Sequence, residues 1–330
     1  MKKDGNSGVV AVIPCFKVRD KILQVIRKIP PLFDTIICVD DACPDRSGDF
    51  IRSNNYDSRV IILYHKKNQG VGGAVKTGYQ HSIKIGAKVV VKIDGDGQMN
   101  PEIAHFFVDP ILSREVDYTK GNRYYNVRFL RSMPRFRLFG NGILSFMTKF
   151  STGYWNIFDP TNGYTAISIE CLNFLPFEKI ANRYFFESDM LFRLKLIKAA
   201  VRDIPMKAVY ADEISNLKIG RIALPFLLGN MQNFFKRLIY EYYLRDFNIA
   251  SILLFLGLPL FSGGIVFGFY EWSLSIISGV PATAGTVMVA ALPILSGLQM
   301  LLSVINYDIY AVPLKPVSGV LRAEYIDEEN

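Results

Sequence analysis

Short apolar runs alternate with longer amphipathic segments through the first hundred residues of the chain. The apolar runs are rich in Val and Ile and end in polar residues, which is typical of strands, and the segments between them are of helical length. Strands that alternate with helices predict parallel βαβ units, and nearly continuous apolar strands predict a sheet covered on both faces. The predicted strands are 8–14, 35–40, 59–65 and 87–94, and two predicted helices are 18–29 and 70–86.

Two long uncharged stretches, residues 248–270 and 283–305, dominate the last third of the chain. Each is about 23 residues long, enough for a helix to cross a hydrocarbon layer roughly 30 Å thick. Pro259 and Pro293 lie inside them, which membrane helices tolerate better than soluble helices do. The alternative is a pair of buried core helices. Because two such stretches follow one another, the pattern favours a transmembrane hairpin.

Basic residues precede and follow this hairpin in the sequence, whereas the connecting loop 271–282 contains no Lys or Arg. The positive-inside rule therefore places both chain ends in the cytoplasm of a multi-pass protein of the plasma membrane. Residues 216–247 carry apolar side chains at helical spacing among basic ones, which favours interfacial amphipathic helices over a helix packed on the sheet. The flanking basic residues are Lys236, Arg237, Arg245, Lys315 and Arg322.

Four segments follow from these patterns. We expect a cytoplasmic α/β domain over residues 1–215, amphipathic juxtamembrane helices over 216–247, the hairpin over 248–305 and a cytoplasmic tail over 306–330. The formal net charge of +8 suits nucleic acid, anionic lipid or a phosphorylated substrate. Because a membrane hairpin is predicted and nucleic-acid-binding signatures are missing from the sequence, lipid and phosphate are favoured over nucleic acid.

Two aspartates, Asp94 and Asp96, stand where the fourth predicted strand ends, in the stretch IDGDGQMNPE. Ligands bind at the carboxyl ends of strands in open α/β sheets, and carboxylate oxygens suit Mg²⁺ or Mn²⁺ on a diphosphate. The alternative is an ordinary polar turn. Asp40 and Asp41 end another strand, and there a contact with a nucleobase competes with capping of the following helix.

A glycine-rich turn, NQGVGGAVKTG, begins at Asn68 and leads into a predicted helix. Its backbone N–H groups and Lys76 are placed to face phosphate. The spacing after Gly70 does not match the G-x-G-x-x-G fingerprint, and the turn follows the third strand instead of the first. A nicotinamide-dependent dehydrogenase is therefore disfavoured.

The motifs taken together resemble the family-two glycosyltransferases of the GT-A fold, most of all the dolichol-phosphate mannose synthase branch and its bacterial polyprenyl-phosphate relatives. The resemblance covers roughly residues 8–215, and the C-terminal hairpin matches many bacterial members. It implies a mostly parallel, Rossmann-like GT-A sheet, followed by the interfacial and membrane helices. The motifs, in order, are VIPCFK, VDDACPDRSG, NQGVGGAVKTG, IDGDGQMNPE, GNRY, DPTNGYTA and FFESDML.

The resemblance implies a nucleotide-sugar donor whose diphosphate is bound through Mg²⁺ or Mn²⁺. Asp94, Asp96 and Gln98 match the positions that hold the metal, with Asp96 the firmer ligand. The loop that is usually DGS in the family is DAC here, Asp41–Cys43, which puts its fine contacts in doubt. The donor-binding candidates are Pro14, Asp41, Asn68, Gly70, Lys76 and Asp94.

The acceptor side is also assigned by resemblance. A hydroxyl acceptor requires a carboxylate base, for which Glu187 and Asp189 are the candidates and Asp189 fits slightly better. The alternative is that either residue caps the helix that follows. A lipid phosphate acceptor is already anionic and needs cations, for which Arg123 and Arg137 are the candidates. Asp159 and Asn162 belong to a predicted acceptor loop, where Asp159 either binds substrate or bonds its own turn.

The sequence together with this resemblance thus predicts a membrane-anchored, metal-dependent, inverting glycosyltransferase that moves a sugar from a nucleotide-sugar, by analogy a UDP-sugar, to a polyprenyl phosphate such as undecaprenyl phosphate. One alternative is transfer to a hydroxyl of a saccharide on lipid diphosphate, as in O-antigen or capsule assembly. Another is an inactive nucleotide-sugar-binding membrane scaffold. The resemblance also allows a homo-oligomer formed through the hairpins.

Overall fold

The computed structural model describes residues 7–126, 135–207 and 219–318. The described residues form two compact units. One contains the residues up to Phe234 together with those from Pro313 onward, and the other is Phe235–Val312.

Seven strands of the first unit form a single sheet, in the order β3-β2-β1-β4-β6-β5-β7, within the described residues. β6 runs antiparallel to β4 and β5, and the other pairings are parallel. The predicted, mostly parallel α/β sheet is confirmed. The strands are β1 Val9–Cys15, β2 Thr35–Asp40, β3 Val60–Tyr64, β4 Val89–Lys92, β5 Tyr118–Asn122, β6 Thr165–Ser168 and β7 Val201–Pro205.

Helices form in both segments that the sequence predicts to be helical, 18–29 and 70–86, and in further segments along the chain. In the first unit the described α-helices are α1 Arg19–Lys28, α2 Ser47–Asn54, α3 Val71–Lys84, α4 Ala104–Leu112, α5 Arg135–Thr152, α6 Ile169–Asn173 and α7 Phe186–Leu196. Next come α8 Ile219–Ile239, a π-helical turn Tyr240–Arg245, α9 Ile249–Ser278 and α10 Ala284–Tyr310. Short 3₁₀ turns lie at Pro101–Ile103 and Phe177–Lys179.

The sheet is buried because its central strands are apolar on both faces. Val9 to Ile13 of β1 and Ile36 to Val39 of β2 are at most 2% exposed. Helix α1 covers one face with Ile22, Val25 and Ile26. Burial of this apolar surface stabilises the fold, at about 25 cal/mol per Å².

The polar residues of the predicted site lie at one end of the sheet, which is the edge formed by the carboxyl ends of the parallel strands. The parallel strands β1, β2, β4 and β5 all end there, and antiparallel β6 begins there. The segments after β2 and β4 and the loop 159–163 before β6 therefore meet at the carboxyl ends of the parallel strands, where open α/β sheets bind ligands.

The second unit is a hairpin of α9 and α10, both long and apolar enough to cross a membrane. Small residues let the two helices approach closely, because a Cβ on Gly297 would lie 2.5 Å from the backbone nitrogen of Phe261. The connecting segment is shorter than the predicted loop 271–282. Helix α9 continues to Ser278 and ends at Gly279, whose φ of 67° is a left-handed conformation that glycine adopts readily.

Arg237, Glu241, Tyr242 and Asp308 form a buried ionic cluster in the second unit. Arg237 donates to Asp308 through Nη1 at 2.6 Å and Nη2 at 3.0 Å, and to Glu241 at 3.1 Å. The hydroxyl of Tyr242 also donates to Asp308, at 2.8 Å. Arg237, which the sequence suggested as a positive charge flanking the membrane, is thus paired inside the protein and ties the chain before α9 to the end of α10.

Asp117, the residue before β5, holds the chain that follows the hairpin. Its carboxylate is fully buried and accepts backbone N–H bonds from Ala200 at 2.8 Å and from Val317 and Ser318 at 2.9 Å each. The segment from Pro313 to Ser318 is therefore fixed on the first unit by a residue two hundred positions earlier in the chain.

We expect Asp117→Ala to destabilise the first unit by about 3 kcal/mol, because three N–H groups lose a charged acceptor. Asp117→Asn is the matched control: it keeps the size and one acceptor oxygen, so its loss is smaller. Unfolding midpoints in detergent, combined with limited proteolysis after α10, measure the effect. An unchanged midpoint and an unchanged cleavage pattern for Asp117→Ala would contradict this role.

Candidate active site

Asp94 and Asp96 lie just beyond the end of β4, as the sequence predicts. The turn between them and Gln98 depends on Gly97, whose φ is 76°, and the backbone N–H of Gln98 donates to Asp96 Oδ1 at 2.9 Å. The Asp94 side chain is 29% exposed, so it reaches the surface of the site. Both carboxylates and Gln98 are thus held together on one tight turn.

Lys92, the last residue of β4, is buried beneath this turn with only 1% of its side chain exposed. Its Nζ donates to Asp94 Oδ1 at 2.8 Å and to the carbonyl of Gly163 at 3.1 Å, and lies 3.4 Å from Glu187 Oε1. Burial disfavours the ammonium, but the carboxylates of Asp94 and Glu187 outweigh it and raise the pKa of Lys92 above its usual value. Lys92 is therefore a buried cation shared by two carboxylates.

A second buried lysine, Lys120 of β5, supports the same loop from the other side. Thr165 of β6 pairs with Lys92 on β4 and with Lys120 on β5. Lys120 donates to the carbonyl of Asn162, and Lys92 donates to the next carbonyl, Gly163. Burial lowers the pKa of Lys120 to about 8, partly offset by Glu187 and Asp159. The two lysines thus fix the loop 159–163 from both neighbouring strands.

Gly163 has to be glycine for this contact to form. A Cβ there would lie 2.3 Å from the Nζ of Lys92 and 2.6 Å from Asp94 Oδ2. The glycine of the sequence TNGY therefore permits the loop backbone to rest on the Lys92–Asp94 pair.

Arg123 and Asp159 pair with each other. Arg123 Nε and Nη2 donate to the two oxygens of the buried Asp159 at 2.7 and 2.9 Å. Asn162 is also buried, and its backbone N–H donates to the carbonyl of Asp159. The predicted acceptor-loop residues are thus gathered beside Arg123, whose charge is balanced by Asp159. A contact of Arg123 with an acceptor phosphate remains a prediction, and the side chain of Arg137 lies outside the described part of the structure.

Glu187 and Asp189 occupy different surroundings although both lie in the first turn of α7. Glu187 faces Lys92 and the end of β4. Asp189 is buried and accepts from the backbone of Ala181 at 2.9 Å and from Asn233 at 3.1 Å. Glu187 therefore lies by the site, whereas both oxygens of Asp189 hold neighbouring segments; which of the two acts as a base stays a prediction. Neither residue caps α7, whose N-cap is Phe185 without a side-chain bond.

Asp41 ties the end of β2 to the glycine-rich turn. Its buried carboxylate accepts the backbone N–H groups of Gln69 at 2.8 Å and Gly70 at 2.7 Å, and lies 2.7 Å from His65 Nδ1. Asn68 donates to the Asp41 carbonyl at 3.2 Å. Pro14 lies alongside on β1, where it pairs with Val39 of β2. The predicted donor residues Pro14, Asp41, Asn68 and Gly70 are thus brought to one edge of the sheet.

Asp40, and not Asp41, caps the helix that follows β2. Asp40 accepts the backbone N–H of Cys43 at 2.7 Å and that of Gly48, in the first turn of α2, at 2.6 Å. Of the two tasks that the sequence left open, capping therefore falls to Asp40, and a contact of Asp41 with a nucleobase remains a prediction.

The glycine-rich turn is covered by the chain's own segment 181–183, contrary to the expectation that it faces phosphate. The N–H of Gly73 donates to the carbonyl of Asn182 at 3.0 Å, and a Cβ on Gly72 would meet the carbonyl of Ala181 at 2.5 Å. Lys76 Nζ donates to the carbonyls of Phe177 at 3.0 Å and Ile180 at 2.8 Å. These glycines permit close packing, and Lys76 bonds the protein in place of a phosphate.

The donor set at Asp94 and Asp96 fits a hard divalent cation. Carboxylate and amide oxygens are the ligands that Mg²⁺ and Mn²⁺ prefer. Asp94 already binds one positive charge, the ammonium of Lys92. No group of three acidic, His or Cys side chains that could hold a metal occurs among the described residues. A metal here would therefore complete its coordination with water and substrate oxygens, as Mg²⁺ commonly does.

Curated relatives match about three fifths of the chain. The UDP-N-acetylglucosamine–dolichyl-phosphate N-acetylglucosaminyltransferase of Methanococcus voltae is 29% identical over 218 residues, which are 62% of this chain and 86% of that protein. The undecaprenyl-phosphate mannosyltransferase of Micrococcus luteus is 27% identical over 206 residues, 61% of this chain and 83% of that protein. Both relatives are named for transfer to a lipid phosphate.

The fold has solved counterparts with the GT-A architecture. Glucosyl-3-phosphoglycerate synthase of Mycobacterium tuberculosis, solved with Mn²⁺, UDP and glucosyl-3-phosphoglycerate, superposes with a TM-score of 0.50 at 20% identity, over 67% of this chain and 79% of that one. Residues 10–174 match the model of the glycosyl transferase family 2. The chain therefore belongs to glycosyl transferase family 2.

Proposed function

We propose that this protein is a membrane-anchored, inverting glycosyltransferase that moves a sugar from a nucleotide-sugar donor to a polyprenyl phosphate. The observation that carries the proposal is the turn with Asp94 and Asp96, placed above Lys92 and beside Glu187 at the ligand-binding edge of the sheet. Family membership supplies the reaction class. We assign the carboxylates and the positively charged groups at this end of the sheet to the donor diphosphate and to the anionic acceptor.

Asp94 and Asp96, with Gln98, would hold Mg²⁺ or Mn²⁺. When bound, such a cation neutralises negative charge on the departing diphosphate. The protein's own residues set the geometry: the Gly97 turn presents Asp96, and Lys92 binds Asp94 in the described structure. Glu187 and the loop 159–163 then border the face from which an acceptor oxygen attacks the anomeric carbon, opposite the leaving group.

A lipid phosphate is the acceptor that the relatives favour, since the M. voltae and M. luteus enzymes are named for dolichyl and undecaprenyl phosphate. Its attacking oxygen is already anionic, so a strong base is not needed. Positive charge near the acceptor matters more. Arg123, the residue after β5, would supply it, with its guanidinium shared between Asp159 and the acceptor phosphate. A UDP-sugar donor and undecaprenyl phosphate are the specific substrates that we propose.

Helices α9 and α10 would span the membrane, with the first unit and both chain ends in the cytoplasm. Apolar side chains on the first unit support a position at the bilayer surface. On α5, Phe139, Ile143 and Phe146 recur on one helical face and are 70%, 47% and 59% exposed. On α8, Leu224 and Leu228 are exposed in the same way. Such faces bind the lipid interface, where an acceptor phosphate lies.

The proposal is tested with full-length protein in detergent, undecaprenyl phosphate, Mn²⁺ and a panel of radiolabelled UDP- and GDP-sugars. We expect one donor to place label in an extractable, acid-labile lipid, since a sugar on a single phosphate is hydrolysed readily. Heat-unfolded protein serves as the control.

Two results would change the proposal. Label that appears only when a lipid-diphosphate saccharide is supplied would move the enzyme to oligosaccharide assembly. A complete lack of transfer to either acceptor with every donor would favour an inactive, nucleotide-sugar-binding scaffold.

Glu187→Gln reports which kind of acceptor is used. Removal of a general base costs roughly 100- to 10,000-fold in rate. With a phosphate acceptor no proton has to be removed, so we expect Glu187→Gln to lower kcat by about tenfold or less. A larger loss of kcat would indicate a hydroxyl acceptor.

Asp189→Asn is the comparison variant in the same helical turn. Because Asp189 holds Ala181 and Asn233, we expect this change to lower the free energy of unfolding by about 1–3 kcal/mol, whereas Glu187→Gln lowers it less, because Lys92 keeps its shorter bond to Asp94. Thermal unfolding in parallel with initial rates separates the two. A stable Asp189→Asn protein with abolished turnover would restore Asp189 as the catalytic carboxylate.

A further inference from the structure

The ammonium of Lys92 bonds unequally to its two carboxylates. Its distance to Asp94 Oδ1 is 2.8 Å, that of a formed charge-assisted bond, whereas Glu187 Oε1 lies at 3.4 Å. The carbonyl of Gly163 completes the contact at 3.1 Å. Lys92 therefore rests on the predicted metal ligand while a second carboxylate lies within reach.

A divalent cation and Lys92 would compete for the same carboxylate. Lys92 neutralises Asp94 in the described structure, and its own burial keeps the ammonium in need of an anionic partner. When Asp94 turns to a metal, Glu187 is the carboxylate already in place to receive the ammonium.

We propose that Lys92 is a positioning residue that links the two halves of the site: it pairs with Asp94 when the donor site is empty and with Glu187 when a divalent cation and a nucleoside diphosphate are bound. The inference rests on the proposed function, because it takes Asp94 as a metal ligand. In this way binding of the donor fixes Glu187. The bond to the carbonyl of Gly163 persists in both states and keeps the loop 159–163 in place.

This exchange predicts a change in metal affinity that would not occur if Lys92 were needed only for folding. Lys92→Met removes the competing cation, so the free energy of metal binding becomes more favourable, while turnover falls because Glu187 loses its partner. Glu187→Gln makes metal binding less favourable, because Lys92 is left with Asp94 as its remaining charged partner in the cluster. A lysine needed only for folding would weaken metal binding or leave it unchanged.

The test is Mn²⁺ binding at saturating UDP, followed by electron paramagnetic resonance on the full-length protein in detergent. We expect Lys92→Met to bind Mn²⁺ about tenfold more tightly than the unchanged protein, and with lower kcat in the transfer assay. We expect Glu187→Gln to bind it several-fold more weakly. Lys120→Met is the matched control: Lys120 is equally buried and bonds the adjacent carbonyl, so its Mn²⁺ affinity should stay within about twofold.

Equal or weaker Mn²⁺ binding by folded Lys92→Met would overturn the inference. If Lys92→Met does not fold, Glu187→Gln decides, and undiminished Mn²⁺ affinity in that variant overturns it. Failure of the unchanged protein to bind Mn²⁺ with UDP, or with GDP in its place, would remove both this inference and the proposed metal site. Mn²⁺ binding that Asp96→Ala abolishes and Lys92→Met does not alter would remove this inference alone.

Discussion

The arrangement of the site depends on the need of two buried ammonium groups for partners. A buried charge without a partner is strongly disfavoured, and removal of one member of a buried pair commonly costs about 3–5 kcal/mol. Lys92 and Lys120 meet this constraint by binding consecutive carbonyls of the loop before β6. Because Lys92 also binds Asp94 and lies near Glu187, one set of contacts holds three segments: the loop 159–163, the turn that carries Asp94 and Asp96 (the D-x-D turn), and the start of α7.

Ionic groups also join distant segments of the chain elsewhere. In the second unit, Arg237 binds Asp308 from the far end of the hairpin. In the first unit, Asp117 binds the backbone of Val317 and Ser318. Each of these groups is buried and binds charged or backbone partners. The protein thus places ionic bonds where segments far apart in sequence have to meet.

Local patterns were sufficient to predict the sheet, its early helices and the location of the D-x-D turn. β-branched runs that end in polar residues define strands by themselves, and the parallel order brings their ends together. The two long apolar helices also follow from composition alone. The connecting loop was predicted too long because Glu271 and Trp272 carry no signal that ends a helix, and the helix ends only at Gly279.

The remaining features depend on contacts between distant residues. Lys92 looks like an ordinary strand residue until β6 is paired with β4, which brings Gly163 to its ammonium. The contact of Asp189 with Asn233, forty-four positions later, engages one oxygen of Asp189 and could not be read from the sequence. His65 had no assigned role, and only the fold places it between Asp41 and Thr77. Glycines 72 and 73 suit both phosphate binding and close packing, and sequence does not separate these uses.

The most direct test of the central claim is calorimetric titration of UDP, and separately of GDP, into the full-length protein with Mn²⁺ or with EDTA. The account predicts that Mn²⁺ tightens binding of one nucleotide at least about tenfold, a change of roughly 1.4 kcal/mol, and that Asp96→Ala removes this effect. Asp109→Ala, at an exposed position on α4, should behave like the unchanged protein. Equal nucleotide affinity with Mn²⁺ and EDTA, or an unaltered metal effect in Asp96→Ala, would contradict a metal–diphosphate site at this edge of the sheet.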